Sequence, residues 1–350
     1  MTAIIHLAGR PVGAGAPCFV IAEIGVNHNG DLAVAQGLVE VAAAAGADAV
    51  KFQTFTAEMV ATASAPKARY QQETTGSDGS QLEMLRGLEL SPEAHRALVE
   101  QCRRLDVLFL STPYDAGSAA FLAELGVPAF KVPSGEITNH PFLARLAGYA
   151  KPLLVSTGMA FLEEVEAAVN VIRGAGGSQI GLLHCVSAYP APPAEANLLC
   201  IPTMAQHFSV PVGFSDYTTG THVALAAVAI GAAMLEKHFT LDRTLPGPDQ
   251  RVSLEPPEFA AMVDGIRTVE AATGSGIKAP SASELENRRL VRRSLAVSMD
   301  VPEGTRLTEG MLCALRPAQG ITPTEWHRVL GRITRRPMRR HELLTWDDLT

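Results

Sequence analysis

Eight short apolar runs, each ending in polar residues, constrain the fold of this chain more than any other feature of its sequence. They alternate with amphipathic stretches rich in Ala, Leu, Val and Glu, such as residues 32–45 and 163–173. Strand and helix alternating eight times are typical of a closed parallel barrel. We therefore predict an α/β fold with barrel strands at residues 19–23, 49–52, 107–110, 129–132, 153–155, 181–185, 210–214 and 234–237.

Residues able to do chemistry stand at the ends of these strands. The C-terminal ends of barrel strands meet at one mouth, which is where active sites form. Lys51 and Lys131 each end a buried strand, where a charge is costly without a partner. Two lysines at one mouth predict an anionic ligand with several charged groups, although each lysine could instead pair with a neighbouring glutamate. Hydroxyl donors for phosphate or carboxylate oxygens would come from Thr112, Ser134, Ser156, Ser187 and Ser215.

The titratable candidates at the same strand ends are Glu23, Glu136, Glu236 and His238. A carboxylate beside a lysine has a depressed pKa, whereas one in a drier pocket can act as a general acid or base. A neutral imidazole at His238 can bind a divalent metal, or it can simply form hydrogen bonds. A mouth lysine could also form a Schiff base, as in pyruvate-dependent aldolases.

The chain divides by composition into a barrel, a linker and a tail. We assign residues 1–275 to the barrel, the Gly-, Ser- and Pro-rich region 276–290 to a linker, and residues 291–350 to a small β-rich domain. Residues 56–90, which include the GSDG of 76–79, are longer than a usual strand-to-helix connection. This segment is predicted to form an active-site loop.

Several functional classes are disfavoured by composition. Aromatic residues make up only 5% of the chain, which argues against stacking on nucleic acid. The longest apolar run, residues 224–235, is too short to cross a membrane, and no secretory signal is evident at residues 1–17. Five cysteines without a C-x-x-C pair suit reduced thiols, so a cytoplasmic location is expected.

Ten segments at or near the strand ends form a distinctive set: IAEIGVNHNGD (21–31), DAVKFQTF (48–55), QLEMLRGLELS (81–91), STPYD (111–115), KVPSGEIT (131–138), STGM (156–159), LLHCVSAYPAP (182–192), GFSDYT (213–218), LEKHFTLDR (235–243) and PGPD (246–249). Together these segments resemble the N-acetylneuraminate (sialic acid) synthase family, including its bacterial legionaminate and pseudaminate relatives. The tail, with RRSL (292–295) and LRPAQG (315–320), resembles the antifreeze-like (SAF) domain of these enzymes.

This resemblance implies a TIM barrel followed by an SAF domain, and a transferase that joins phosphoenolpyruvate to an N-acetylmannosamine-type aldehyde sugar. The products are a nonulosonic acid and phosphate. Glu136, Glu23 and Lys131 would be catalytic, and Gln53, Tyr189 and Asp249 would bind the sugar. Arg316 would join them from the partner subunit of a domain-swapped homodimer. Phosphoenolpyruvate would be held by Lys51, Thr112, Lys131, Ser134, Ser156, Ser187 and Ser215.

The resemblance also implies a divalent metal, Mn²⁺ or Mg²⁺, bound at positions 217 and 238. The family motif on the seventh strand usually reads Ser-Asp-His, and its histidine is one metal ligand. This chain has Tyr217 at that position, and the other expected ligand is His238. Phenol has a pKa near ~10 and must lose its proton to bind metal well, so weaker binding is expected. His222 is an alternative to Tyr217 as the ligand that accompanies His238. Besides the synthase, a Schiff-base aldolase and a catalytically impaired sugar-binding relative in surface-polysaccharide synthesis stay open.

Overall fold

The computed structural model describes residues 4–76 and 78–350. These residues form two compact units, divided between Gly274 and Ser275. Ser77, which belongs to the predicted active-site loop, and residues 1–3, which open the stretch searched for a secretory signal, lie outside the described residues.

The first unit is a closed barrel of eight parallel strands, in which the last strand pairs with the first. The predicted (β/α)8 barrel is confirmed, and most strands run one to three residues further toward their C-terminal ends than the sequence predicted. The strands of the chain are β1 (Ile4–Leu7), β2 (Arg10–Gly13), β3 (Phe19–Gly25), β4 (Ala49–Thr54), β5 (Leu108–Pro113), β6 (Phe130–Val132), β7 (Leu153–Ser156), β8 (Ile180–Cys185), β9 (Val212–Asp216), β10 (Met234–His238), β11 (Ser294–Val297) and β12 (Leu312–Leu315).

Helices follow the barrel strands and cover their outer faces. Side-chain caps define several helix starts: the Asp31 carboxylate accepts from the amides of Ala33 and Val34 at the start of α1. The helices are α1 (Leu32–Ala44), α2 (Ala57–Val60), α3 (Arg69–Thr75), α4 (Gln81–Arg86), α5 (Pro92–Arg104), α6 (Ala116–Leu125), α7 (His140–Ala147), α8 (Leu162–Gly174), α9 (Cys200–Phe208), α10 (His222–Ala229), α11 (Pro256–Thr273), α12 (Ala282–Val291) and α13 (Trp326–Val329).

Residues 56–90 contain three short helices, α2 to α4, where the sequence predicted a loop. Ser80 begins α4 through a reciprocal cap: its hydroxyl accepts from the Glu83 amide at 3.2 Å, and the Glu83 carboxylate accepts from the Ser80 amide at 2.8 Å. Lys67 donates to the carbonyl oxygens of Gly76 and Asp78 at 3.1 and 2.7 Å. These local bonds order the segment, which contributes side chains to the barrel mouth.

The N-terminal hairpin β1–β2 closes the end of the barrel opposite the mouth. Ile5, Leu7 and Val12 are buried in one apolar cluster with interior residues of the barrel strands. Sequence inspection did not identify this hairpin, because its strands have only four residues each and its burial depends on partners far along the chain. Its apolar partners are Phe19, Ile21, Ala49, Leu110, Ala129, Leu154, Leu183 and Met234.

The second unit is built from the antiparallel pair β11–β12, several isolated bridges and an apolar core that includes Leu295, Val297 and Leu344. The sequence assigned residues 276–290 to a linker, but α12 occupies Ala282–Val291. Glu284 stabilises the start of this helix by accepting from the Ser281 amide at 2.7 Å. The part of the predicted linker from residue 282 onward is therefore helical, and the linker bounds stay a prediction.

Candidate active site

The mouth of the barrel contains a cavity of about 440 Å³. Lys51 and Lys131 both line it, so the two amines predicted to share one pocket do so, although each lies inside its strand, β4 or β6, and not at the strand end. Fourteen of the predicted site residues line this cavity: Glu23, Lys51, Gln53, Thr112, Lys131, Ser134, Glu136, Ser156, Ser187, Tyr189, Tyr217, Glu236, His238 and Asp249.

Lys131 forms one charged cluster on the cavity wall. Its ammonium donates to the Ser156 hydroxyl at 2.7 Å and lies 3.4 Å from a carboxylate oxygen of Glu236. Burial opposes the charge of Glu236, but Lys131 and Lys51 outweigh that effect and lower its pKa. Ser215 is fully buried behind the cavity and donates to Glu236 at 3.0 Å. Its hydroxyl therefore orients Glu236, and the expected contact of Ser215 with an anion stays a prediction.

Lys51 forms the second charged cluster. Its ammonium lies 2.7 Å from a carboxylate oxygen of Glu23 and donates to the Thr112 hydroxyl at 3.2 Å. Burial opposes the charge of Lys51, but the carboxylates of Glu23 and Glu236 outweigh it and raise the pKa of the amine. Each lysine thus has a glutamate partner, as the alternative interpretation held, and each also faces open space in the same cavity.

A cradle of small groups, made by Ser134, Gly158 and Ser187, lies beside Lys131. The Ser134 hydroxyl accepts from the Gly158 amide at 3.0 Å and lies 3.2 Å from the Cys185 sulfur. A side-chain carbon at Gly158 would come within 2.8 Å of the Ser134 oxygen and would also collide with the Ser187 hydroxyl. Only glycine allows this close approach, which leaves room for hydroxyl donors suited to a phosphate or carboxylate.

Polar groups also line the opposite side of the cavity. Gln53 donates to Glu23 at 3.5 Å and accepts from the Tyr114 hydroxyl at 3.4 Å. Burial raises the pKa of Asp249 to about 6, although Lys51 opposes this shift. Glu136 is half-buried at the rim, where its carboxylate accepts from the Asn139 amide group at 2.6 Å.

Four rings in successive contact, which we call the aromatic wall, border the same side. Ring centroids are 5.0 Å apart for Tyr70 and Tyr189, 4.5 Å for Tyr189 and Tyr217, and 5.6 Å for Tyr217 and His238. Sequence reasoning assigned no role to Tyr70 or Tyr114. The signal for Tyr70 was its position in the long 56–90 segment, which was predicted to reach the active site.

The residues at positions 217 and 238 do not fit the expected divalent-metal site. His238 offers a neutral imidazole, because burial, followed by the nearby lysines, lowers its pKa to about 3. Its Nδ1 has no hydrogen-bond partner among the described residues. Burial and the nearby Tyr189, Cys185 and Glu236 raise the pKa of Tyr217 above its usual range, so the phenol keeps its proton. Within residues 4–76 and 78–350, no three His, Cys, Asp or Glu side chains are grouped to hold a metal.

Two other predicted positions lie away from this cluster. His222 is exposed at the first position of α10 and is absent from the described lining of the cavity. Arg316 belongs to the second unit, where it is exposed directly after β12. The role of Arg316 stays a prediction.

A parallel barrel with buried lysines, carboxylates and hydroxyls around one mouth is typical of a TIM-barrel enzyme acting on small molecules. Residues 38–278 match the model of the NeuB family, and residues 292–350 match the SAF domain. The chain belongs to the NeuB family. It is an enzyme of the synthase class that forms carbon–carbon bonds, and it combines a TIM barrel with a C-terminal SAF domain.

Similar proteins include two curated bacterial enzymes. The chain is 46% identical over 327 residues to N,N'-diacetyllegionaminic acid synthase of Campylobacter jejuni, covering 93% of this chain and 98% of that enzyme. It is 45% identical over 326 residues to the enzyme of the same name from Legionella pneumophila, covering 92% of each.

A similar solved structure is the N-acetylneuraminic acid (sialic acid) synthetase of Leptospira borgpetersenii in complex with citrate. The TM-score is 0.73 at 34% identity, covering 82% of this chain and 95% of that one. Among the described residues, none of the helices combines the length and apolar character needed to span a bilayer.

Proposed function

We propose that this enzyme condenses phosphoenolpyruvate with an N-acylated, mannosamine-type aldehyde sugar to give a nonulosonic acid and phosphate. The observation that carries the proposal is that Lys51 and Lys131 face one cavity, which hydroxyl donors and the aromatic wall also line. Phosphoenolpyruvate carries a carboxylate and a phosphate, and these match the two ammonium groups. The family membership of the chain supports the same reaction class.

In the proposed reaction the electron pair of the phosphoenolpyruvate double bond forms the new bond from C3 to the aldehyde carbon. The carbonyl electron pair moves to the aldehyde oxygen, which takes up a proton. Water adds to the electron-poor C2 and loses a proton, which leaves a hydroxyl on C2. Phosphate then departs with the electrons of its C–O bond, and the C2 hydroxyl gives its proton to the departing phosphate and becomes the keto group. Holding both substrates in one cavity replaces a bimolecular encounter with a positioned one.

We assign positions to the residues by their surroundings. Lys131, Ser156 and Ser134 would hold one acidic group of phosphoenolpyruvate beside the Gly158 cradle. Lys51 and Thr112 would hold the other, since their polar atoms lie 3.2 Å apart. Glu136, an acceptor at the rim, would take the proton from the attacking water.

The acceptor would be an aldehyde sugar with one or two N-acyl groups. The aromatic wall offers apolar ring faces to the acyl methyl groups, and Gln53 and Asp249 offer hydrogen bonds to the sugar hydroxyls. The names of the two similar bacterial enzymes favour a diacetamido-trideoxy hexose over N-acetylmannosamine.

The test is phosphate release from phosphoenolpyruvate with a panel of acceptors: N-acetylmannosamine, its 6-phosphate and a diacetamido-trideoxy hexose. We expect release only when both substrates are present, with the new keto acid identified by mass spectrometry. Borohydride trapping of pyruvate on Lys51 or Lys131 would instead support the Schiff-base aldolase. Phosphate release without acceptor would contradict the proposed condensation. Tight phosphoenolpyruvate binding without turnover would support the impaired sugar-binding relative.

We further propose a cytoplasmic, domain-swapped homodimer in which Arg316 of one subunit serves the site of the other. The proposal rests on the family resemblance and on the exposure of Arg316 in its own unit. Mixing inactive Arg316→Ala and Lys131→Ala homodimers under exchange conditions tests it. Recovery of part of the activity supports a shared site, whereas no recovery with proven subunit exchange contradicts it.

A further inference from the structure

The position that this family fills with a metal-binding histidine is part of the aromatic wall in this chain. Tyr217 is buried, and its ring contacts Tyr189 on one side and His238 on the other, with centroid distances of 4.5 and 5.6 Å. A second imidazole at this position is what a two-histidine site would require. The phenol offers instead a single O–H donor.

The carboxylates of Glu236 and Glu23, which stand on neighbouring strands, are each already paired with a lysine. Glu236, two residues before His238 on β10, accepts from Ser215 and pairs with Lys131. Glu23 pairs with Lys51 at 2.7 Å. A divalent cation such as Mn²⁺ favours several oxygen or imidazole ligands, and His238 alone does not supply them.

Tyr217 lies between the two ends of the cavity. It packs with Cys185, which contacts Ser134 of the anion cradle, and with Tyr189 of the aromatic wall. An aldehyde held against the wall and a phosphoenolpyruvate held by Lys131 would meet beside this side chain. The Tyr217 hydroxyl is hydrogen-bonded to Tyr189 in the structure, and by turning from Tyr189 to the substrate it can stabilise negative charge developing on the carbonyl oxygen.

We propose that this enzyme works without a divalent metal at positions 217 and 238, and that the Tyr217 phenol donates a hydrogen bond to the reacting carbonyl oxygen of the acceptor. The role of Tyr217 rests on the condensation proposed above. The phenol keeps its proton throughout, and the aldehyde oxygen is protonated by the proton that Glu136 takes from the attacking water, so the step needs no other reactant.

Metal binding is measured directly, by electron paramagnetic resonance of free Mn²⁺ titrated with the full-length protein. We expect the wild type to leave the free Mn²⁺ signal unchanged and Tyr217→His to bind about one ion per chain, as a second imidazole completes the pair. The double variant Tyr217→His, His238→Ala should lose that ion. Binding of Mn²⁺ by the wild type that His238→Ala removes would overturn the metal-free site, whether or not any acceptor is turned over.

The role of the phenol is tested by kinetics on chelator-treated enzyme. We expect wild-type phosphate release to survive chelation, and Tyr217→Phe to lower kcat about 100-fold with an unchanged KM for phosphoenolpyruvate. Tyr149→Phe, which removes a hydroxyl remote from the cavity, is the matched control. A Tyr217→Phe variant with wild-type kcat would overturn the phenol's role. Activity that chelation abolishes and Mn²⁺ restores would overturn the inference and leave the proposed condensation standing.

Discussion

The two ends of the barrel use the same strands for opposite purposes. Interior side chains alternate along a strand, so a residue and its second neighbour share the interior at different depths. Near the floor the interior holds Ile21, Ala49 and Met234 beneath the N-terminal hairpin. Two residues further along the same strands, the mouth holds Glu23, Lys51 and Glu236.

This difference shows where stability and chemistry are located. The floor is a closed apolar cluster whose burial stabilises the barrel. The mouth buries charges that water would otherwise solvate, and those charges contribute little to stability unless each one is paired. Variants in the floor should therefore change stability without changing kinetics, whereas variants in the mouth should change kinetics and can even increase stability.

The largest effect is expected for Lys131→Met in the mouth. Removing the ammonium should lower kcat/KM for phosphoenolpyruvate by about 1000-fold or more. It also leaves Glu236 buried without its partner, which should reduce the free energy of unfolding by about 3–5 kcal/mol. Phosphate release and urea unfolding measure the two effects. In the double variant Lys131→Met, Glu236→Gln, stability should return and activity should not; recovery of activity would contradict the assignment.

Leu154→Ala in the floor should have the next largest effect, and on stability alone. Leu154 is fully buried against the hairpin, two residues before Ser156 on β7. The cavity left behind should lower the free energy of unfolding by about 2–5 kcal/mol. The KM for phosphoenolpyruvate and kcat, measured well below the melting temperature, should stay at wild-type values. Leu154→Met, expected to lower the free energy of unfolding by less than about 1.5 kcal/mol, is the control. A change in kcat or KM whose free-energy equivalent exceeds the loss of stability would contradict the division between a stabilising floor and a catalytic mouth.

Asp249→Asn should increase stability near neutral pH and reduce activity. The raised pKa of Asp249 means that the folded state favours the protonated form, so stability falls as pH rises from about 4 through about 6. The shift from 3.8 to about 6 corresponds to about 3 kcal/mol. Unfolding free energies at pH 4 and pH 7.5 should show Asp249→Asn gaining on the wild type at the higher pH only. Asp264→Asn, at an exposed site, should gain at neither pH.

The smallest effect is expected for Gly158→Ala. The added carbon would press on the Ser134 and Ser187 hydroxyls and move the donors of the anion cradle. We expect the KM for phosphoenolpyruvate to rise about tenfold, equivalent to about 1.4 kcal/mol, with little change in the acceptor KM. Gly174→Ala, where the added carbon meets nothing within 4 Å, is the control. An equal rise in the KM of both substrates would contradict the assignment of this cradle to phosphoenolpyruvate.

Much of the barrel could be predicted from sequence because its signal is local. Apolar runs such as residues 153–155 and 234–237 needed only their own composition to be recognised as strands. The hairpin β1–β2 and the contribution of Tyr70 depend on contacts between residues far apart in the chain, which periodicity does not reveal. Ser215 shows the same limit, since its strand-end position was visible but its bond to Glu236 was not.

Tyr70 reaches the cavity from α3, in the insertion between β4 and α5, whereas Lys131 and Ser156 are fixed in the barrel strands themselves. One half of the pocket can therefore diversify by insertion, deletion or exchange of residues 57–86, while the other half stays constrained by the barrel. New acceptor preferences could evolve by altering this single surface segment without rebuilding the machinery that handles the shared three-carbon donor.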